Sequence, residues 1–372
     1  MLPLRRPLSC LVLLLAGCTP SDTPVVLEEA LPADALTAVD FPVGVAVPAD
    51  PWPNSLLGSP ERQAIVSTFF SSITAENAMK MAYLHPAPDR YAFDNADVLV
   101  EWARQEGLVV HGHALVWHNQ APDWMNTLEG DREVVETILA EHVAGVAGHF
   151  GGRLASWDVV NEAFADSDAD GDGLNDLRDT LWLENVGLDY VATAFRVARA
   201  ADPDADLYYN DYNLSSVPAK LAAVLDMVDA FRSDPDPVPI DGIGFQMHIS
   251  LAWPEIGQVR AALAAAAATG LKVKISELDI TVNTDGNGVS LGQTTLTPAV
   301  ADQQRARYEA IVRAYLDEVP APQRGGITVW GIADVDSWRR SYNSNEGPLL
   351  FDDAFAAKPA LTGFADGLRA TP

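Results

Sequence analysis

Ser156-Trp157-Asp158-Val159-Val160-Asn161-Glu162 reads as a short apolar strand that ends on an amide and a carboxylate. Val273-Lys274-Ile275-Ser276-Glu277 ends in the same way. Working outward from these two, which extend over 155–160 and 272–278, further strand-like runs stand at 42–47, 69–74, 109–117, 206–210, 243–248 and 327–332. Helical stretches separate them, for example 131–150, 181–201, 219–232, 255–269 and 299–318, with apolar residues recurring at three and four. Short strands alternating with longer helices are the pattern of βα units around a parallel sheet. Eight such repeats predict an α/β fold in which residues 41–368 form one (β/α)8, or TIM, barrel. A doubly wound open sheet would want a glycine-rich phosphate turn after an early strand, and none is present.

Asp and Glu number 52 against 24 Lys and Arg, a formal net charge of -28. A surface that acidic repels nucleic-acid phosphates, so no polynucleotide partner is expected, whereas an uncharged polysaccharide meets no repulsion. The acidity equally fits saline surroundings. At the N-terminus, Arg5 and Arg6 precede the apolar run 8–16, which is too short for a permanent membrane span and reads as a signal peptide over 1–17. Leu15-Ala16-Gly17-Cys18 has the form of a bacterial lipobox, so Cys18 is the expected lipidation site; the alternative is an ordinary signal peptide that contains a Cys. Cys10 would leave with the signal, so the mature chain has no internal disulfide. Residues 18–40 carry the anchor and a Pro-rich, acidic tether. The expected location is outside the cytoplasm, at the cell envelope, with the lipid as the only membrane contact.

In such a barrel the functional side chains sit at the carboxyl ends of the strands. Those ends carry Glu76, Asn77 and Lys80; His113, Trp117 and His118; Asn161 and Glu162; Asn210, Asp211, Tyr212 and Asn213; Gln246 and His248; Glu277 and Asp279; and Trp330, Asp334 and Trp338. A lone polar residue at a strand end is usually a cap or a loop contact. So many together, three of them Trp, predict a polar and aromatic cleft. Glycosidic hydrolysis needs one carboxylic acid to protonate the leaving oxygen and one carboxylate to attack or to activate water. Glu162 and Glu277 close the fourth and seventh runs, on opposite sides of the barrel; taken singly, each reads by default as a buried carboxylate paired with Arg or Lys, but the pair belongs to this wider pattern.

The motifs Ser72-Ile73-Thr74-Ala75-Glu76-Asn77-Ala78-Met79-Lys80, Gly112-His113-Ala114-Leu115-Val116-Trp117-His118, Trp157 to Ala163, Tyr209-Asn210-Asp211-Tyr212-Asn213, Gly242 to His248, Ile275-Ser276-Glu277-Leu278-Asp279, and Val329-Trp330-Gly331 with Ser337-Trp338-Arg339 resemble, in order, family 10 of the glycoside hydrolases. The resemblance runs from about Phe41 to about Phe364 and implies a retaining endo-β-1,4-xylanase without an obligatory cofactor. It implies Glu162 as acid/base, Glu277 as nucleophile, Asn161 on the sugar 2-hydroxyl, and His248 holding the nucleophile while Asp279 orients it. Glu76, Asn77, Lys80, His113, Trp117 and Gln246 match glycone-side binding positions, and Trp330 and Trp338 would stack on xylose. Trp157 reads as core packing. Another retaining β-glycanase of the same clan, or a non-catalytic polysaccharide binder, are the rival readings.

Two departures stand out. The family usually has Trp where this chain has Met81, which would remove an aromatic near the glycone subsites. The loop Asp166-Ser167-Asp168-Ala169-Asp170-Gly171-Asp172-Gly173-Leu174-Asn175-Asp176 lacks the Glu of an EF-hand, but Asp168, Asp170, Asp172 and Asp176 have the spacing with which short loops wrap Ca2+. A structural calcium ion is therefore one expectation, and a solvated acidic loop the other.

Overall fold

The computed structural model describes residues 31–49, 55–128, 131–169, 171–282 and 296–369; the signal segment, Cys18 and Asp170 lie outside them. Eight parallel strands close into a ring: β1 (Val43–Val47), β2 (Ser72–Ala75), β3 (Val109–Val116), β4 (Ser156–Asn161), β5 (Asp206–Asp211), β6 (Gly242–Phe245), β8 (Lys272–Thr281) and β9 (Arg324–Val329). β1 pairs with both β2 and β9, and β6 pairs with β8, so no edge is left open. Helices fill the connections, and the fold is the (β/α)8 barrel.

The expected sixth run divides. β6 stays in the ring, the chain turns at Met247, whose φ is +61°, and β7 (His248–Ser250) pairs only with the far end of β8. β8 can serve both because it runs ten residues, well past the ring. That pairing sets His248 opposite Asp279. The second run starts late, because the helix Pro60–Phe69, capped by the Ser59 side chain on Arg62 N, carries on through Phe69. The helix expected over 181–201 breaks into Leu181–Val186 and Tyr190–Ala201 at Gly187, which sits at φ +87°.

Residues paired in register share a face of the sheet. One face carries Val45, Ile73, Val110, Trp157, Leu207, Ile243, Val273 and Ile327, all at most 3% exposed, and the Trp157 ring lies 5.9 Å from Phe150 at the end of the helix Arg132–His149. This is the helix-facing core, and Trp157 belongs to it. The opposite face is polar: His111 pairs with Ser156 and His113 with Asp158, each at hydrogen-bond distance. A barrel interior is usually filled with branched apolar residues. Here it is a hydrogen-bonded lattice, which explains why His111 and His113 interrupt the run at 109–117 and Ser156 and Asp158 the run at 155–160.

Trp157 has room only because its register partner lacks a side chain, since a Cβ on Gly112 would stand 2.1 Å from its ring. Gly112→Ala should therefore cost about 3 kcal/mol of stability, because a buried ring cannot step aside. Gly148→Ala, with open space around it in a helix, should instead add about 0.5 to 1 kcal/mol. Urea midpoints measure both, and a wild-type midpoint for Gly112→Ala would sink the packing argument.

Candidate active site

β4 ends at Asn161, and Glu162 leaves the strand with φ +58°, a left-handed backbone uncommon for a side-chain-bearing residue. Its N–H still bonds across to Asn210 O at 2.8 Å, and the next two amides, of Ala163 and Phe164, both donate to the Tyr209 hydroxyl at 3.1 and 3.3 Å. The turn lifts the Glu162 carboxylate out of the sheet. Its Oε1 accepts from Gln246 Nε2 at 2.9 Å, and His118 Nε2 lies 3.9 Å from Oε2.

Glu277 stays within β8 and is 4% exposed. Its Oε1 accepts from Asn210 Nδ2 at 2.8 Å, and its Oε2 lies 3.2 Å from His248 Nε2. The other His248 nitrogen, Nδ1, is 2.9 Å from Asp279 Oδ2, and Asp279 also accepts from Trp338 Nε1 at 2.8 Å and Arg339 Nε at 2.7 Å. Burial alone would lower the imidazole pKa, but Asp279 and Glu277 outweigh it and raise it to about 9. An imidazolium has a proton on both nitrogens, which suits a ring lying between two carboxylates. Burial would likewise raise Asp279, yet Arg339 and His248 pull it below the ordinary carboxylate range. The Asn161 amide links the two walls, 2.9 Å from Asn210 Nδ2, 3.2 Å from Gln246 Nε2 and 3.3 Å from Glu162 Oε1.

These groups open into a cleft of about 560 Å3. Glu76, Asn77, Lys80, His113, Trp117, Gln246, Trp330 and Trp338 all line it with Asn161, Glu162, His248 and Glu277, while Asp279 is fully buried behind His248. Lys80 Nζ donates to Asn77 Oδ1 at 3.0 Å and Gln120 Oε1 at 2.7 Å, and lies 4.8 Å over the Trp117 ring. Trp330 meets His113 edge-on at 5.2 Å, and Trp338 meets His248 at 5.1 Å. Met81 is not among the lining residues; it is 1% exposed, with Sδ 3.4 Å from Trp117 N.

Sequence reasoning passed over Gln120 and Tyr342, which line the cleft, and Arg178, which donates to Glu162 O and Phe164 O behind it. Gln120 lies three residues beyond Trp117 at the same strand end and could have been found there. Tyr342 stands four residues after Trp338, in a loop with no pattern of its own. Arg178 lies beyond the acidic loop, where nothing local marks it.

Among the described residues, one group of three ligand-type side chains lies within 4.8 Å: His113, Asp158 and Glu277. Those atoms already have partners, since His113 Nδ1 and Asp158 Oδ2 are 2.9 Å apart and Asn210 donates to Glu277. In the acidic loop, Asp168 accepts from Gly171 N and Gly173 N, Asp172 from Leu174 N and Asp176 from Ala169 N. Asp168, Asp172 and Asp176 thus bind the loop's own amides. Asp166 turns away from the loop to Lys220 at 3.0 Å and Asn213 at 3.1 Å.

Comparison with known proteins agrees with this geometry. The endo-1,4-beta-xylanase A of Cellvibrio japonicus (strain Ueda107) is 44% identical over 344 residues, covering 88% of this chain and 55% of the relative. The endo-1,4-beta-xylanase B of Thermotoga neapolitana is 36% identical over 360 residues, 95% of each chain. A mutant of xylanase10C from Cellvibrio japonicus, solved in complex with xylopentaose, superposes with a TM-score of 0.84 at 40% identity, over 91% of this chain and 69% of that one. This chain thus spans little more than half the length of the first relative. The profile described as "Glycosyl hydrolase family 10" matches residues 33–367, and the chain belongs to that family.

Proposed function

We propose that this chain is a retaining endo-β-1,4-xylanase that cleaves internal linkages of xylan or xylo-oligosaccharides by double displacement, with Glu277 as nucleophile and Glu162 as acid/base. The observation that carries the reading is the unequal setting of two carboxylates in one cleft. Glu277 is buried and aimed from both sides by Asn210 and His248; Glu162 stands at the rim on the left-handed turn, met by the neutral Gln246 amide. As Glu277 attacks the anomeric carbon, Glu162 protonates the departing oxygen; Glu162 then takes a proton from the water that releases the glycosyl-enzyme, and two inversions give retention. Asn77, Lys80, His113 and Gln246 offer polar partners to glycone hydroxyls, and the Trp330 and Trp338 planes suit the C–H face of a pyranose. The names of the relatives support xylan as the substrate. Residues 1–40 add a second proposal, an exported chain held at the cell envelope through lipid on Cys18.

Reducing-end assays on xylan, cellulose, mannan and mixed-linkage glucan should give activity highest on xylan; activity on none of them, or a preference for another polymer, would overturn the substrate assignment. Glu277→Ala should be nearly inactive on every substrate, a loss of about 10^4-fold or more. Glu162→Ala should still react with an aryl xylobioside whose leaving group needs no proton, and azide should restore turnover as a β-glycosyl azide. An α-azide would refute the assignment of the pair.

His248 supplies a pH signature. Its folded pKa, about 9, lies above the ordinary value of 6.5, so its contribution to stability is complete below 6.5 and disappears as pH rises through 9. The melting temperature of the wild type should therefore fall more between pH 7 and 10 than that of His248→Asn; parallel curves would remove the imidazolium from the account. For the anchor, metabolic labelling with a fatty acid should mark the wild type and leave Cys18→Ala unmarked, and equal labelling would end that proposal.

A further inference from the structure

Arg178 donates from Nε to Glu162 O at 3.2 Å and from a terminal nitrogen to Phe164 O at 3.2 Å and the Tyr212 hydroxyl at 2.7 Å. Its own backbone N–H bonds to Ala163 O at 2.6 Å, and Phe164 bridges Leu177 beside it. Three consecutive carbonyls, beginning with that of Glu162, therefore end on one residue. From the other side the same segment is held by Tyr209, whose hydroxyl receives Ala163 N and Phe164 N and itself donates to Asp211. Glu162 needs such a clamp, because its φ of +58° is costly for a residue with a Cβ and persists only where the surroundings over-determine it. The third bond of Arg178 reaches the cleft wall, where the Tyr212 ring also has Lys220 Nζ 3.6 Å above it.

Resting on the proposed role of Glu162 as proton donor, we infer that Arg178 is a positioning residue for proton delivery: its planar fork locks the backbone of the acid/base and ties it to the Tyr212 wall. It touches neither substrate nor reacting atoms. The step it serves is the first one, in which the anomeric carbon–oxygen bond breaks, the bond to Glu277 forms, and the Glu162 proton moves to the departing oxygen. If the fork is lost, nucleophilic attack is untouched, but the proton arrives late or from the wrong direction. Lys cannot substitute, because one ammonium does not span two carbonyls and a phenol in fixed directions.

The test is a series of aryl β-xylobiosides running from dinitrophenyl, which leaves without a proton, to phenyl, which needs one, hydrolysed by the full chain and by Arg178→Lys and Arg178→Met. Rates are normalised to active sites titrated by the dinitrophenolate burst. Both variants should hold within about threefold of wild type on the dinitrophenyl substrate and lose about 10- to 100-fold on the phenyl one, within the range that general acid catalysis supplies. The plot of log kcat/KM against leaving-group pKa steepens accordingly. Equal losses across the series, no loss anywhere, full activity in Arg178→Lys, or variants with no titratable sites would each overturn the inference. A wild type inactive across the whole series would instead defeat the glycosidase reading itself, so the two failures are told apart.

Discussion

A carboxylate withdrawn from water must be hydrogen-bonded or neutralised, or it will not remain in place. Seven of the described carboxylates are at most 4% exposed, and four of these, Asp158, Asp211, Glu277 and Asp279, stand on the strands of the barrel itself. Each is met by a different set of donors. Asp158 takes His113 and has His111 Nε2 3.0 Å away, Asp279 takes His248, Trp338 and Arg339, and Glu277 takes Asn210 and His248. Asp211 takes Lys220, the Tyr209 hydroxyl and Tyr212 N, and there burial still wins, raising its pKa to about 7 although Lys220 pulls it down. Much of the cleft's polar machinery follows from satisfying these groups. The donors that neutralise the core are the same ones that orient the two walls, so stability and site geometry rest on shared bonds.

That sharing explains what could be read from the sequence. The barrel is legible because its helix-facing positions keep to Val, Ile, Leu and Trp while its helices keep their own period. The strand-end residues are legible because each abrupt change from apolar run to Asn, Glu or His marks where a strand leaves the core. Boundaries are less so. The break inside 243–248 depends on the backbone turning at Met247, a residue type with no preference for the left-handed region, so no local signal foretold β7. Asn210 and Arg178 show the other limit. Asn210 stood in a quoted motif, yet nothing in one dimension reveals that its amide reaches both Asn161 and Glu277; Arg178 acquires its place only when the loop following Glu162 folds back on itself at the Phe164–Leu177 bridge.

Backbone conformation carries the same message in a different form. Gln120, Glu162, Asn213 and Met247 all adopt φ between +48° and +61°, and the first three line the cleft while the fourth separates Gln246 from His248, which also line it. A strand directs alternate side chains to opposite faces; Glu277 meets the cleft from within β8, whereas Glu162 stands one residue past the end of β4, where a straight chain would turn its side chain to the face opposite to that of Asn161. The left-handed turn supplies the missing change of direction, at a cost of order 1 kcal/mol or more for each non-glycine residue. Glycine would remove that cost at any of the four, but at 162 the side chain is itself the point of the turn. Strain at this position must then be offset by bonds that the straight strand would not make, those from Tyr209 and Arg178. The clamp and the strained turn are two halves of one arrangement: a strand that ran on past the inward-facing Asn161 would point Glu162 to the helix side, and the bonds from Arg178 and to Tyr209 hold the turn that redirects it.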